Sequence, residues 1–90
     1  MPPRRKSTPR SPEHAALGEA VRQTRTERGL SQEELADRAG MHVTHIGGLE
    51  RGVRNPSYTT LVRLARALGE EPGALVSLAD GILGDNSRQR

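Results

Sequence analysis

Residues 29–52 read GLSQEELADRAGMHVTHIGGLERG, and this stretch decides the fold. Ser31 is a favoured helix N-cap, and Glu34 stands three residues later, where its carboxylate can accept a hydrogen bond from the Ser31 backbone N–H. This capping box predicts a helix start, and Gly40 predicts a helix end only two turns later. The first helix of the stretch is therefore expected over residues 31–39.

A second short helix is predicted over residues 43–51, directly after the turn at Gly40. Ile46 and Leu49 form its inward-facing pair at spacing i, i+3, and Gly52 ends it. Two helices joined by so short a turn must cross at a steep angle, which leaves the second helix free to project from the domain. That arrangement suits a helix that enters a DNA major groove.

Three further helices are predicted on either side of this pair. An apolar face at helical spacing begins at Leu17, residues 61–68 form a strongly amphipathic helix, and Pro72 suits the first turn of a fifth helix. The pattern predicts an all-α domain of five helices over residues 14–81. Residues 82–90 are expected to form a flexible C-terminal tail.

The net charge of +3 is unevenly distributed along the chain. Residues 1–12 carry four basic side chains and no acid, whereas residues 13–84 hold eight arginines against ten acidic residues. The fold itself is therefore slightly acidic, and net charge alone says little about DNA binding. Residues 1–13 are predicted to be a disordered basic arm, either a solubilising tail or an arm that contacts DNA.

The composition argues against several classes of protein. Ninety residues without cysteine leave room for one small domain, with neither a disulfide framework nor a cysteine-based zinc site. Tyr58 is the only aromatic residue, which argues against modules that stack on single-stranded bases. No apolar run reaches the roughly 18 residues of a membrane span, and no secretory signal is visible. A cytoplasmic, nucleoid-associated protein without membrane contact is expected.

Catalytic and ligand sites are not expected either. The sequence shows no nucleophile–base pair, carboxylate cluster or phosphate-binding loop, so the protein is predicted not to be an enzyme and to need no cofactor. His42 and His45 share a helical spacing of i, i+3 but lack a third ligand, so no metal site is predicted. A domain of this size leaves no room for a separate ligand-binding unit, so no small-molecule ligand is expected.

Four segments together resemble one known family. They read ERGLSQEELADRAG at 27–40, IGGLERG at 46–52, RNPS at 54–57 and LVRLARALG at 61–69. In this register the chain resembles the Xre family of helix-turn-helix regulators, which includes phage repressors, Cro proteins and the controller proteins of restriction–modification systems. The resemblance implies a lambda-repressor-like fold and a transcriptional regulator that binds a palindromic operator in double-stranded DNA as a homodimer, with helix 43–51 in the major groove.

The resemblance also implies where the functional residues lie. Base contacts are expected on the first turns of the helix over 43–51, at Val43, Thr44, His45 and Gly48. DNA phosphate contacts are expected at Gln32, His42, Arg51, Arg54, Asn55, Ser57 and Tyr58. A structural ion pair is expected between Arg25 and Glu50. A four-helix core does not need all the apolar residues near the C-terminus, so a dimer interface is expected at Leu75, Val76, Leu78, Ile82 and Leu83. Alternatively, the fifth helix closes the monomer's own core, and both can hold in part.

Two questions remain open on the sequence alone. Gly47 and Gly48 each weaken a helix by about 1 kcal/mol relative to Ala, so the pair needs a reason. That reason is either close approach of the backbone to DNA or packing against Ala36 or Leu17. The alternative function is a protein-interaction module of the same fold, such as a co-activator bridge or an antitoxin-like partner binder. Salt dependence of DNA binding distinguishes the regulator from such a module.

Overall fold

The structure, a computed structural model, describes residues 8–88. The chain in this range forms five α-helices without a strand, which confirms the all-α prediction. The helices are α1 (Pro12–Glu27), α2 (Gln32–Ala39), α3 (Val43–Glu50), α4 (Tyr58–Ala67) and α5 (Pro72–Arg88). No helix in this range is long and apolar enough to cross a membrane.

Serine caps set three of the helix starts. Ser11 accepts a hydrogen bond from the backbone N–H of His14 at the start of α1, and Ser57 does the same for Thr60 at the start of α4. The capping box of α2 is present, with Glu34 N–H donating to Ser31 Oγ and Ser31 N–H donating to the Glu34 carboxylate. These bonds specify where the helices begin through contacts within three residues in sequence.

The capping box has a consequence for pH. The hydrogen bond from the Ser31 backbone N–H lowers the pKa of the Glu34 carboxyl below its usual value. Because the folded-state pKa is depressed, the stabilising contribution of this carboxylate is present above its unfolded pKa and is lost as pH falls through the folded pKa. Helix α2 therefore loses support under acidic conditions.

One apolar core holds all five helices together. The largest fully buried side chains come from every helix: Val21, Leu35, Ile46, Leu64, Leu68 and Leu75. Thr24 is the buried polar residue of this region, and its hydroxyl donates to the carbonyl oxygen of Ala20 at 2.9 Å within α1. The polar group of this core is therefore hydrogen-bonded within its own helix, and the other buried side chains named here are aliphatic.

The structure differs from the sequence-based boundaries at both ends. Helix α1 already begins at Pro12 and the Arg10 backbone N–H donates to Gly52, so residues 10–13 are held on the domain and are not part of a disordered arm. The part of that prediction concerning residues 1–7 lies outside the described residues. Helix α5 continues to Arg88 instead of ending near Gly81, so residues 82–88 are helical. Ile82 packs against the core, which explains why the helix continues beyond a weak helix former.

Leu75 corrects one predicted role on α5. Its side chain is only 1% exposed and belongs to the core of the monomer, so it is not available to a dimer interface. Val76 and Leu78 are exposed, and Ile82 and Leu83 are half-buried. Successive residues of an α-helix are rotated by about 100°, so Leu75 and Val76 point in different directions. Leu75 lies on the side of α5 that faces α1 and α4.

Candidate nucleic-acid interface

The outer face of α3 is formed by its first turn. Ile46 and Leu49 are buried against the core and fix the inner face of this short helix. Val43 and Thr44 are exposed and His45 is half-buried, so three of the predicted base-contacting side chains lie together on the outside. His42 precedes them as the N-cap of α3, is exposed, and makes no side-chain capping hydrogen bond.

A buried ion pair fastens the far end of α3 to α1. Arg25 Nε donates to Glu50 Oε2 at 2.6 Å, and Arg25 Nη2 donates to Glu50 Oε1 at 3.1 Å. The third guanidinium nitrogen, Nη1, donates to the carbonyl oxygen of Leu30 at 2.8 Å. The side chains of Arg25 and Glu50 are only 13% and 5% exposed. The fork geometry of arginine therefore joins α1, α3 and the loop before α2 in one contact.

Gln32 joins the same network from the start of α2. Its side-chain Nε2 donates to Glu50 Oε1 at 2.9 Å, so Glu50 accepts hydrogen bonds from two helices. The sequence placed Gln32 among the DNA phosphate contacts, and the structure adds a structural role that the sequence did not reveal. This hydrogen bond spans 18 residues, a separation that no local pattern predicts.

The atoms nearest to a Cβ on either glycine of the α3 pair belong to neither Ala36 nor Leu17, and close approach of this backbone to DNA stays a prediction. A Cβ on Gly48 would lie 2.7 Å from Arg54 Cγ, and a Cβ on Gly47 would lie 3.1 Å from Arg51 Nη1. Both glycines thus lie beneath arginine side chains of the following loop. Gly48 is buried under Arg54 in the structure, and its contact with a base stays a prediction.

Close packing between helices was one possible reason for Gly47 and Gly48. Such packing is found instead at Gly18 in α1. A Cβ there would lie 2.5 Å from the carbonyl oxygen of Glu50 and closer still to that of Leu49. Helix α1 therefore contacts the backbone of the last turn of α3. A glycine inside an otherwise regular helix was the available sequence signal, but it does not show which neighbour requires the space.

The loop between α3 and α4 holds the remaining predicted contacts. Arg51, Arg54 and Asn55 are exposed, and Tyr58 at the start of α4 is 77% exposed. The hydroxyl of Ser57 accepts from Thr60 N–H and is also hydrogen-bonded to Thr60 Oγ1, so its first role is to cap α4.

Charge on this face is positive and not neutralised within the fold. Among the arginines between residues 8 and 87, four lie within salt-bridge distance of a carboxylate: Arg22, Arg25, Arg28 and Arg66. Arg51 and Arg54 do not belong to this set in the described part of the chain. The two arginines beside α3 are therefore exposed and unpaired with a carboxylate in this part of the chain.

Comparison with known proteins identifies the architecture. The sequence profile described as helix-turn-helix matches residues 21–75, from the middle of α1 to the first turn of α5. The chain belongs to the Xre-like helix-turn-helix family. This helix-turn-helix domain is 42% identical over 64 residues to y4dJ of Sinorhizobium fredii, an uncharacterised transcriptional regulator of the same type. The match covers 71% of the chain and 83% of that relative.

Solved structures agree with the sequence match. The restriction–modification controller protein C.AhdI of Aeromonas hydrophila shares 42% sequence identity and superposes with a TM-score of 0.71, over 72% of this chain and 98% of that one. The clp gene regulator ClgR of Corynebacterium glutamicum superposes with a TM-score of 0.83 at 28% identity, over 86% of this chain and 82% of that one. The resemblance to regulators of the Xre type is therefore confirmed.

Proposed function

We propose that the protein is a transcriptional regulator that binds a palindromic operator in double-stranded DNA as a homodimer, with α3 in the major groove. The observation that carries this proposal is the outer face of α3. There, exposed Val43 and Thr44 and half-buried His45 stand beside Arg51 and Arg54, for which the described chain offers no carboxylate. Short side chains for base contact next to unneutralised guanidinium groups suit a groove lined by phosphates.

Base recognition on this face is expected to be sparse. Val43 can contact the methyl group of thymine, Thr44 can add a hydrogen bond or a methyl contact, and His45 can donate or accept at a base edge. None of them offers the bidentate pairing of arginine with guanine or of glutamine with adenine. The shape and deformability of the operator therefore supply part of the specificity.

Phosphate contacts orient the domain on the duplex. Arg51 and Arg54 extend from the loop after α3, Gln32 lies at the start of α2, and His42 precedes α3. Because these residues flank the base-contacting turn on both sides, they fit a backbone on either edge of the groove. Asn55, Ser57 and Tyr58 complete this set at the start of α4.

A second copy is expected to pack on α5. Val76 and Leu83 border an apolar groove between α1 and α5, together with Leu17, and exposed Leu78 and half-buried Ile82 add apolar surface elsewhere on α5. Covering this surface with a two-fold-related copy removes it from water. Two α3 helices would then reach half-sites about 34 Å apart, one turn of DNA.

Selection of bound sequences from a random duplex pool tests the proposal. We expect a palindrome with few specified positions in each half-site and a spacing of about one helical turn between the half-site centres. Affinity for the selected duplex should fall steeply between low and physiological salt. Absent binding, or binding that does not change with salt, would indicate the protein-interaction module instead.

Arg54→Ala is expected to make DNA binding less dependent on salt. Loss of one phosphate contact per protomer makes the plot of log affinity against log salt shallower by about 2 for a dimer. Fluorescence anisotropy over a salt series measures this slope. Arg63→Ala removes the same charge from a separate groove beside Arg38 and Arg66, and its slope should match the unmodified protein. Equal slopes for both variants would contradict a phosphate contact at Arg54.

Gly48→Ala is expected to weaken DNA binding with little net change in the stability of the fold. Alanine favours a helix by about 1 kcal/mol over glycine, but the new Cβ would lie 2.7 Å from Arg54 Cγ, so the whole Arg54 side chain must change its rotamer and offsets that gain. Displacing that guanidinium should weaken binding about tenfold, or about 0.7 kcal/mol per protomer. Thermal melts and anisotropy measure the two effects. In an Arg54→Ala background, Gly48→Ala should cause no further loss, and an undiminished loss there would show that the glycine acts independently.

A further inference from the structure

The segment before α1 is docked on the end of α3 through the backbone. The N–H of Arg10 donates to the carbonyl oxygen of Gly52 at 2.8 Å. Gly52 is buried and has a φ of +77°, and a Cβ on it would lie 2.9 Å from both the N and Cα atoms of Ala15. Only a glycine allows this approach, so the turn that ends α3 is shaped to receive the start of α1.

A chain of side-chain hydrogen bonds makes a second connection. Ser11 Oγ lies 2.6 Å from His14 Nδ1, and His14 Nε2 lies 3.0 Å from Asn55 Oδ1. Ser11 Oγ already accepts from the backbone N–H of His14, so its own proton can point to Nδ1. The ring proton then sits on Nε2 and donates to the Asn55 carbonyl oxygen. This chain connects the cap of α1 to the loop after α3, across 41 residues between His14 and Asn55.

The docking places a basic side chain next to the base-contacting turn. A cleft, here called the basic cleft, is lined chiefly by Arg10, His45, Arg54, Asn55, Ser57 and Thr60. No acidic residue lines it, and neither Arg10 nor Arg54 pairs with a carboxylate among residues 8–88. Two guanidinium groups that line one cleft repel each other unless an anion lies between or beside them. The cleft is therefore suited to an anion with several oxygen acceptors.

We propose that the basic cleft binds a phosphate of the DNA backbone, with Arg10 as a contact residue and with Ser11, His14 and Asn55 positioning the segment that carries it. The proposal rests on the proposed DNA-binding function and extends the interface beyond the helix-turn-helix motif. We assign the anion to DNA because His45, which lines the cleft, also lies on the face of α3 proposed to contact bases. A phosphate held there belongs to the same duplex that α3 reads.

Arg10→Ala in the full chain tests the contact directly. We expect affinity for the selected duplex to fall about tenfold, with a salt slope shallower by about 2 for the dimer. The loss should be uniform across operator variants, because phosphate contacts carry no sequence information. The melting temperature should stay unchanged, since Arg10 acts on the fold through its backbone N–H. Arg63→Ala again serves as the matched control.

His14→Ala tests the positioning role. It leaves Arg10 in the chain but removes the connection to Asn55, so affinity and salt slope should move part of the way towards those of Arg10→Ala. In an Arg10→Ala background, His14→Ala should cause no further change, whereas a merely structural role would lower affinity equally in both backgrounds.

The outcomes separate this inference from the proposed function. If the unmodified protein fails to bind duplex DNA at low salt, both are overturned. If it binds with a steep salt slope and Arg10→Ala leaves affinity and slope unchanged, the basic cleft is overturned and the proposed function stands.

Discussion

Gly18→Ala is expected to lower the free energy of unfolding by about 3 kcal/mol, at the upper end of the usual effect of overpacking. The added Cβ would meet the carbonyl oxygens of Leu49 and Glu50, which belong to the backbone of α3 and cannot rotate away. Helix α1 would have to shift, and the buried contact between Arg25 and Glu50 would shift with it. A stability of 5–15 kcal/mol is typical for a domain, so this loss is a large part of the total.

Thermal unfolding followed by circular dichroism measures this effect. A loss of about 3 kcal/mol lowers the melting temperature of a domain of this size by more than about 12 °C. Gly81→Ala is the matched control, because Gly81 also lies inside a helix, α5, and a Cβ there meets nothing within 4 Å. That control should gain up to about 1 kcal/mol from helix propensity. A Gly18→Ala variant as stable as Gly81→Ala would contradict the close packing of α1 on α3.

Arg25→Ala is expected to cost about 3–5 kcal/mol, the range found when one partner of a buried ion pair is removed. Its partner Glu50 is only 5% exposed and would keep only the hydrogen bond from Gln32. The carbonyl oxygen of Leu30 would lose its donor as well. Chemical denaturation with urea measures the loss through the midpoint at unchanged slope.

A neighbouring ion pair on the same helix supplies the comparison. Arg22 pairs with Glu19 at 2.6 Å, but the two side chains are 48% and 36% exposed, so solvent screens the pair and Arg22→Ala should change stability little. Replacing Arg25 and Glu50 together by Met and Leu should recover most of the loss, because no charge then remains buried. A cost for Arg25→Ala no larger than for Arg22→Ala would show that burial does not govern this pair.

Much of the helix pattern could be predicted because its causes are local. The capping box at Ser31 and Glu34 and the left-handed glycine at position 40 act within a few residues of one another, and the structure contains both. The ion pair between Arg25 and Glu50 was predicted only through the resemblance to the Xre family. Nothing in the spacing of 25 residues indicates that their side chains meet.

The end of α5 shows where local signals fail. Gly81 suggested a helix end, since glycine is a weak helix former, and nothing near it in sequence opposes that interpretation. Ile82 packs against the core, which supplies the stabilising contact from outside the helix. Burial of a side chain by other helices outweighed a local preference of about 1 kcal/mol.

By itself, the sequence determined the order of the helices, their caps and the family, because these depend on interactions between residues three or four apart and on motifs in register. Only the tertiary structure decided what the glycines at 18, 47 and 48 accommodate and that Leu75 faces inward. It also decided that the start of α1 lies beside the loop after α3. The physical reason is the same in each case, because the atoms involved are distant in the chain and become neighbours only when the helices pack. This holds for the space around the glycines, for the burial of Leu75 and for the hydrogen bond from His14 to Asn55.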